Sequence, residues 1–332
     1  MASSIRSPAM TDWPDEFAWI ARLEPLTRGD PRAFGLTDDA AVIPARPGFD
    51  LVISKDAMVE GVHFLPLERP DLVARRLLRT NLSDLAAKAA EPFGYFLMTA
   101  WPADRSWSDR DAFIRGLAED GETFGVALLG GDTVRTSGPL TLSATVLGWC
   151  PAGGTVLRSG ARAGDAAVIL GTIGDGWLGL QAARGEIADP GGRLAAHYRT
   201  PTPLLVLREG LRAFARAAAD VSDGLVADAG HVARASGLAV SLDLADLPLS
   251  TDAMAWCAVQ PDHAEARLAL ATGGDDYAIV CAADPADVPA LMRVASESGV
   301  SFARIGVFEP GQGVRVTLAG RGITVTTPGW SH

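Results

Sequence analysis

Six aspartates stand where an ordinary globular chain would place apolar or capping residues. Asp39 follows the glycine turn of GLTDDAAV, at the mouth of what reads as a buried strand, and Asp56 sits inside the strand-like run LVISKDAMV. Asp84 interrupts the apolar side of NLSDLAAKAA, Asp132 ends LLGGD, and Asp220 and Asp223 bracket the turn in DVSDG. Taken singly, each reads most simply as an N-cap or turn residue, as with Asp223 before Gly224 and Asp132 after two glycines. Capping does not account for Asp56 in mid-strand or Asp84 in mid-helix. If the six converge, two carboxylates about 4 Å apart repel by roughly 4 kcal/mol at an effective dielectric near 20. Several such pairs would offset a domain's whole stability of roughly 5–15 kcal/mol. Cations near these segments are few, so a divalent metal is the simplest counter-charge. Hard oxygen donors without a His or Cys cluster favour Mg²⁺ (or Mn²⁺) over zinc. Mg²⁺ held by a few carboxylates completes its shell with water and substrate phosphates, and this points to phosphoryl-transfer chemistry. Asp38 reads as a cap or a supporting partner beside Asp39.

Composition narrows the classes. Lys and Arg number 29 against 40 Asp and Glu, a formal charge of −11, which argues against a nucleic-acid surface but leaves room for metal-bridged anionic substrates. Cys150, Cys257 and Cys281 lie far apart without CxxC spacing, so neither a disulfide framework nor a zinc site is expected and a reducing cytoplasmic setting is. No apolar run approaches a membrane span, and MASSIRSPAMTDWPDEF has no apolar signal core; it reads as a short N-terminal tail.

The elements that must carry the aspartates alternate between strand and helix. The spacing predicts a helix over Asp71 to Ala90, with Leu78, Leu82, Leu85 and Ala86 on one side, and another over Ser108 to Phe124, with Ser108 as N-cap and Gly125 beyond its end. Glu119, Asp120 and Glu122 on the latter read as a solvated face. Strands are read at Leu51 to Val59, Val126 to Gly131 and Leu140 to Trp149. The turn-rich PAGGTVLRSGARAGD then marks a boundary, giving domains 1–150 and 151–332. The second half reads as strands at Ala166 to Gly171, Leu238 to Leu244, Tyr277 to Ala283 and Ala303 to Phe308. Helices are read from about Asp175, near Pro203 to Ala218, over Leu225 to Ser236 and near Pro285 to Ser298, with a closing hairpin at Gly320 to Gly322. The fold class is α/β, in α+β layers.

Glycine loops divide by chemistry. GxxxxGK[ST] is absent, which excludes a Walker-type site, and GTIGDGWLG reads as a strand-to-helix turn rather than a dinucleotide fingerprint. In GGDT, Gly130 and Gly131 would let the backbone approach a phosphate beside Asp132. Arg158, between the two halves, reads as an anion partner or an ordinary surface arginine. His63 follows Asp56 closely enough to line the same cleft, or is a satisfied histidine.

Seven motifs in order, GLTDDAAV, ISKDAMVEGVHF, NLSDLAAKAAEP, LLGGDTVR, LRSGARAGD, DVSDGLVADAGH and TGGDDY, cover nearly the whole chain and together resemble the thiamine-monophosphate kinase family. The resemblance implies the two-domain fold shared with aminoimidazole ribonucleotide synthetase. In it an N-terminal ATP- and metal-binding α/β domain (1–150) also forms a homodimer, and a C-terminal α/β domain (151–332) completes the active site. It implies transfer of the ATP γ-phosphate to thiamine monophosphate, with several Mg²⁺ ions between ATP and substrate. Carried over motif by motif, Asp39, Ser54, Asp56, Asp84, Asp132, Asp220 and Asp223 correspond to metal positions. Gly131, Asp132, Arg158 and Ser222 correspond to ATP contacts, and His63, Asp275 and Trp330 to substrate contacts. Three positions depart from the family pattern: Lys55 stands where Thr is common, Asp275 where Glu is usual, and GWSH lacks the usual final aromatic.

The expected mechanism is direct in-line transfer without a phosphoenzyme, since no nucleophile set is recognisable and a phosphate acceptor is already ionised. The alternatives are another ATP-using member of the same superfamily, a metal-dependent phosphohydrolase, or a binding protein without activity.

Overall fold

The computed structural model describes residues 16–330, so the N-terminal tail lies outside the described residues. Strands β1 (Phe49–Val59), β2 (Glu91–Pro102), β3 (Ala127–Thr136) and β4 (Thr141–Pro151) form one sheet in the order β1-β4-β2-β3, parallel only between β2 and β3. A second, larger sheet holds β5 (Ala166–Leu170), β6 (Ala215–Asp220), β7 (Ala239–Asp243), β8 (Ile279–Ala283), β9 (Phe302–Glu309), β10 (Gly313–Leu318) and β11 (Arg321–Ile323). Their order is β11-β10-β7-β9-β5-β8-β6, parallel only between β7 and β10. The helices of the first part are α1 (Glu16–Leu23), α2 (Pro70–Ala87) and α3 (Trp107–Phe124). Those of the second are α4 (Asp175–Ala183), α5 (Arg193–Arg199), α6 (Arg208–Phe214), α7 (Leu225–Ala235), α8 (Thr251–Ala258), α9 (His263–Thr272) and α10 (Val288–Glu297).

Helix α2 carries Asp84 and sets the geometry of everything around it. Pro70 opens it at N1, where a missing N–H is harmless, and Asp71 suits the positive end of the dipole. Leu77, Leu78, Leu82 and Leu85 are fully buried, each contributing about 2 kcal/mol of apolar burial. They do not face one sheet. The helix packs on β1 and β4 on one side and on β6 and the 205–207 turn on the other, inside one continuous apolar cluster that reaches both sheets. Beyond Lys88 the chain turns through Ala89, in the left-handed region at φ 58° and fully buried, and so feeds directly into β2.

Several local expectations change. The N-cap of α3 is Ser106, not Ser108, and Asp109 closes a capping box with it, while Gly125 ends the helix at φ 68° as read. Asp120 is not a solvated residue: it is fully buried and takes a bidentate pair from Arg79 on α2 (2.6 and 2.9 Å) plus Arg75 at 3.2 Å. The helix expected up to Ala218 stops at Phe214, and ARAAAD is strand β6 pairing with β8. Alanine's helix preference of a few tenths of a kcal/mol per residue yields there to a sheet edge that needs a partner. Asp132 does not end its strand, because β3 runs on to Thr136. TDDAAV opens no strand: Asp38, Asp39 and Ala40 are exposed in an irregular segment after Leu36.

Candidate active site

Strand β1 alternates, and its two faces have different fates. Val52, Ser54, Asp56 and Met58 lie toward α2, where the Ser54 hydroxyl donates to Asp84 Oδ2 at 2.6 Å and the Asp56 N–H donates to Asn81 Oδ1 at 2.9 Å. Lys55 lies on the other face, its ammonium donating to the Ser143 hydroxyl at 2.6 Å. Its charge therefore points away from the Asp56–Asp84 side.

From the second sheet, β6 ends on Asp220, and the turn Val221–Gly224 leads into α7. Asp220 is buried, and its carboxyl is pushed up to about 8 by burial first and by the Asp84 and Asp228 charges after it. Asp56 is held at about 6 by the surrounding protein mass, with Asp84 and then Asp223 adding to it. Burial likewise raises Asp84, against the opposing pull of the Ser54 hydroxyl, Lys88 and Arg158. These mutual effects join Ser54, Asp56, Asp84, Asp220 and Asp223 in one electrostatic cluster drawn from both sheets. Lys88, at the end of α2, is its built-in cation, donating to Ala218 O at 2.6 Å; burial first lowers it to about 8, against the pull of Asp220. Four carboxylates are not balanced by Lys88 and Arg158 together. The donor set, hard oxygens from carboxylates and one hydroxyl, fits Mg²⁺ or Mn²⁺.

The α7 turn is held by a residue the sequence did not single out. Asp228 Oδ2 accepts from three consecutive N–H groups, Ser222 and Asp223 at 3.1 Å and Gly224 at 3.3 Å, which fixes the loop bearing Ser222 and Asp223. Burial, then Asp223, pushes Asp228 up to about 7. Its Oδ1 is buried without a hydrogen-bond partner, and donor atoms of Asp223, Asp228 and His231 lie within 4.8 Å of one another. The i, i+3 spacing of Asp228 and His231 on one helix was the available signal. The GTIGDG turn is filled in the same way: buried Asp276 accepts from the N–H groups of Gly174 and Gly176 at the start of α4.

Two of the expected substrate contacts, His63 and Asp275, meet at Arg76 of α2. His63 Nδ1 accepts from the Val59 N–H at 3.0 Å, which folds the turn after β1. Asp275 sits at φ 64°, its N–H donating to Ser222 O at 2.8 Å and its Oδ1 accepting from Arg76 at 2.7 Å and the Tyr277 hydroxyl at 3.0 Å. Trp330 is 59% exposed, and its N–H donates to Asp223 O at 2.8 Å, so the C-terminal segment lies along the same turn.

Asp39, Gly131 and Asp132 are not in that group. They line a separate cavity of about 300 Å³ with Asp38, Leu36, Leu129 and Thr133, on the β3 side of the first sheet. Since β1 and β3 are its opposite edges, three strand spacings or about 14 Å separate Asp132 from the Asp56 side within one chain. Gly131 has a structural reason of its own: a Cβ there would stand 1.9 Å from Leu97 O on β2. A register shift after Tyr95 sits just before this glycine, the irregularity that aims GGDT.

Comparison with known proteins bears on the fold and the family. The AIR synthase related protein models match residues 37–150 (N-terminal domain) and 162–319 (C-terminal domain). A thiamine-monophosphate kinase of Caulobacter vibrioides is 55% identical, with 100% of both chains covered. The crystal structure of the Stenotrophomonas maltophilia thiamine-monophosphate kinase superposes with a TM-score of 0.81 at 34% identity, covering 93% of this chain and 98% of that one. AaThiL complexed with AMPPCP and TMP gives 0.73 at 26% identity, covering 88% and 96%. With the motifs, both sheets and the full length in agreement, the chain belongs to the thiamine-monophosphate kinase family of AIR synthase-related proteins.

Proposed function

We propose that this chain transfers the γ-phosphoryl group of ATP to the phosphate of thiamine monophosphate, giving thiamine diphosphate and ADP. The observation that carries this reading is the convergence of Ser54, Asp56, Asp84, Asp220 and Asp223 from two sheets into one under-compensated carboxylate cluster. Support comes from relatives of the same name and from a relative's complex with an ATP analogue and TMP.

In the reaction the bond from the γ-phosphorus to its bridging oxygen breaks, and a bond to an oxygen of the acceptor phosphate forms. That oxygen is already ionised at neutral pH, so the protein supplies position rather than a base. No cysteine competes for the nucleophile role, since Cys150, Cys257 and Cys281 are all buried, and burial pushes the Cys281 thiol up to about 12. Ser54, Asp56, Asp84, Asp220 and Asp223, with Asp39 and Asp132, would hold several Mg²⁺ ions. Those ions, when bound, neutralise the phosphate oxygens as charge develops in the transition state. Gly131, Asp132, Arg158 and Ser222 face the nucleotide in this reading, and His63, Asp275 and Trp330 hold the acceptor. We keep the division into domains 1–150 and 151–332, and place the protein in the cytoplasm on its three free cysteines; among the described residues no helix is long and apolar enough to cross a membrane.

The acting unit in this proposal is a homodimer. Strand β1 is a long sheet edge whose face away from α2 leaves Ile53 57% and Leu51 38% exposed, and such an edge seeks a partner. A second copy along the β1 edge would cover them and set its own Asp39 and Asp132 across that edge from the Asp56 side, closing the gap within one chain. Sedimentation should give a dimer, and Ile53→Asp should give a monomer with turnover down about a hundredfold. A fully active monomer would remove the dimer from the proposal.

The test of the function is incubation with ATP, Mg²⁺ and thiamine monophosphate, with product identified by chromatography. Thiamine diphosphate and ADP should form one for one. Phosphate release from ATP at the same rate with and without thiamine monophosphate would make the protein a phosphohydrolase instead.

A further inference from the structure

Arg76 sits in the middle of α2, 4% exposed, at a position where a helix wedged between two sheets would be expected to carry an aliphatic residue. Three distant segments converge on its guanidinium. Nε donates to the carbonyl of His63 at 3.2 Å, Nη1 donates to the carbonyl of Tyr198, and Nη2 donates to Asp275 Oδ1 at 2.7 Å. The ring of Tyr198 lies 4.3 Å from its Cζ, so the guanidinium plane is held by stacking as well. A buried charge is tolerated only when it is paired and its donors are used, and here the partners come from both halves of the fold.

The consequence for Asp275 is specific. Its Oδ1 is taken by Arg76 and by the Tyr277 hydroxyl, while Oδ2 accepts no hydrogen bond from the described residues. The backbone is equally constrained: Gly274, Asp275 and Tyr277 all have positive φ (75°, 64° and 52°), and the Asp275 N–H is held by Ser222 O. The two non-glycine residues are strained in such a conformation and persist only where the surroundings over-determine them. Arg76 is one of those determinants, with Ser222 O and the Tyr277 hydroxyl.

We propose that Arg76 is a positioning residue for the acceptor: by joining the His63 turn to the Asp275 carboxylate it sets the width of the gap that holds thiamine monophosphate, without touching the reacting atoms. The proposal deepens the functional reading above and rests on it, because His63 and Asp275 are acceptor contacts only within that reading. A lysine could not serve all three partners, since its ammonium is a point charge, whereas the guanidinium fork spreads five donors in a plane.

The experiment measures initial rates and calorimetric affinities for wild type, Arg76→Met, Arg76→Lys and Tyr277→Phe, varying thiamine monophosphate and ATP in turn. Arg76→Met should raise KM and Kd for thiamine monophosphate at least about tenfold and leave KM for ATP within about twofold. Arg76→Lys should recover part of the loss, and Tyr277→Phe, which keeps the guanidinium, should give a smaller rise of about threefold in the same constant. If Arg76→Met does not fold, the other two variants decide: unchanged constants for thiamine monophosphate in both overturn the proposal. So does a folded Arg76→Met in which both substrates' constants move together, the pattern of a merely structural residue. If wild type binds thiamine monophosphate but forms no thiamine diphosphate, the functional reading falls, while the Kd comparison still judges Arg76. If wild type turns over normally and the split between substrates is absent, only the role of Arg76 falls.

Discussion

Asp84→Asn is expected to lower phosphoryl transfer by a factor of about a thousand and, in the same protein, to raise the melting temperature measured in EDTA. The first half follows from the place of Asp84, where the Ser54 hydroxyl, Asp56 and Asp220 meet it from two sheets; removal of one organising charge from such a centre costs roughly 10²–10³ in kcat. The second half follows from the sign of its shift. Burial raises the Asp84 carboxyl above its ordinary value despite Ser54, Lys88 and Arg158, so its charge is net unfavourable in the metal-free fold. An asparagine keeps the shape, can still accept from Ser54 through its amide oxygen, and removes that charge, for a gain of about 1 kcal/mol. A coupled assay and a thermal melt in EDTA check both halves. Normal turnover, or a lower melting temperature with intact structure, would contradict the assignment of Asp84.

The second large effect is a stabilisation by Mg²⁺ that grows with pH while the metal-free protein weakens. Asp228 and Asp220 are held at about 7 and about 8, and buried Asp276 well above its ordinary 3.8. A raised carboxyl binds a proton in the folded state that the unfolded chain has already released. Stability is therefore highest, on this count, below the unfolded value and falls as pH rises toward the folded one. Each proton of difference is worth about 1.4 kcal/mol per pH unit. Three carboxylates release protons in or above the window from pH 6.5 to 8 and outweigh the opposing groups: Lys88, lowered to about 8 by burial, and His197 and His231, lowered by burial, each hold fewer protons folded than unfolded and so work the other way. The melting temperature in EDTA should fall across that window. Mg²⁺ requires the carboxylates deprotonated, so the rise in melting temperature on adding Mg²⁺ should be greater at pH 8 than at pH 6.5. Melts in paired buffers measure this, and a Mg²⁺ effect that shrinks with pH would contradict the cluster as a cation site.

What could be read before the structure depended on whether a residue broke a local pattern. Asp56 and Asp84 stood out because each interrupts an apolar run, and Asp220 with Asp223 because a turn sits between them; the structure brings these four together. Asp120 broke no pattern, since a charge on an outer helix normally faces water, and only the packing of α3 on α2 shows that Arg79 and Arg75 meet it. Arg76 was invisible for the complementary reason: in VARRLLRT it looks like one more polar position, and its partners lie 13, 122 and 199 residues away. Strand β6 was hidden by composition, because four alanines in six residues favour a helix unless a neighbouring strand claims them. Order in sequence also concealed the division between Asp39 with Asp132, which share a cavity beside the edge strand β3, and Asp56, which lies on the opposite edge strand β1.

The plugged helix starts bear on selectivity. Where many phosphate-handling proteins leave main-chain N–H groups open at the beginning of a helix, Asp276 and Asp228 here already fill both candidates, α4 and the turn before α7. Incoming polyanions find no ready amide socket at either point. Recognition is left to charge that arrives with the substrate, to a handful of side chains and to the main chain at Gly131, so a nucleotide is discriminated by what it carries into the cleft.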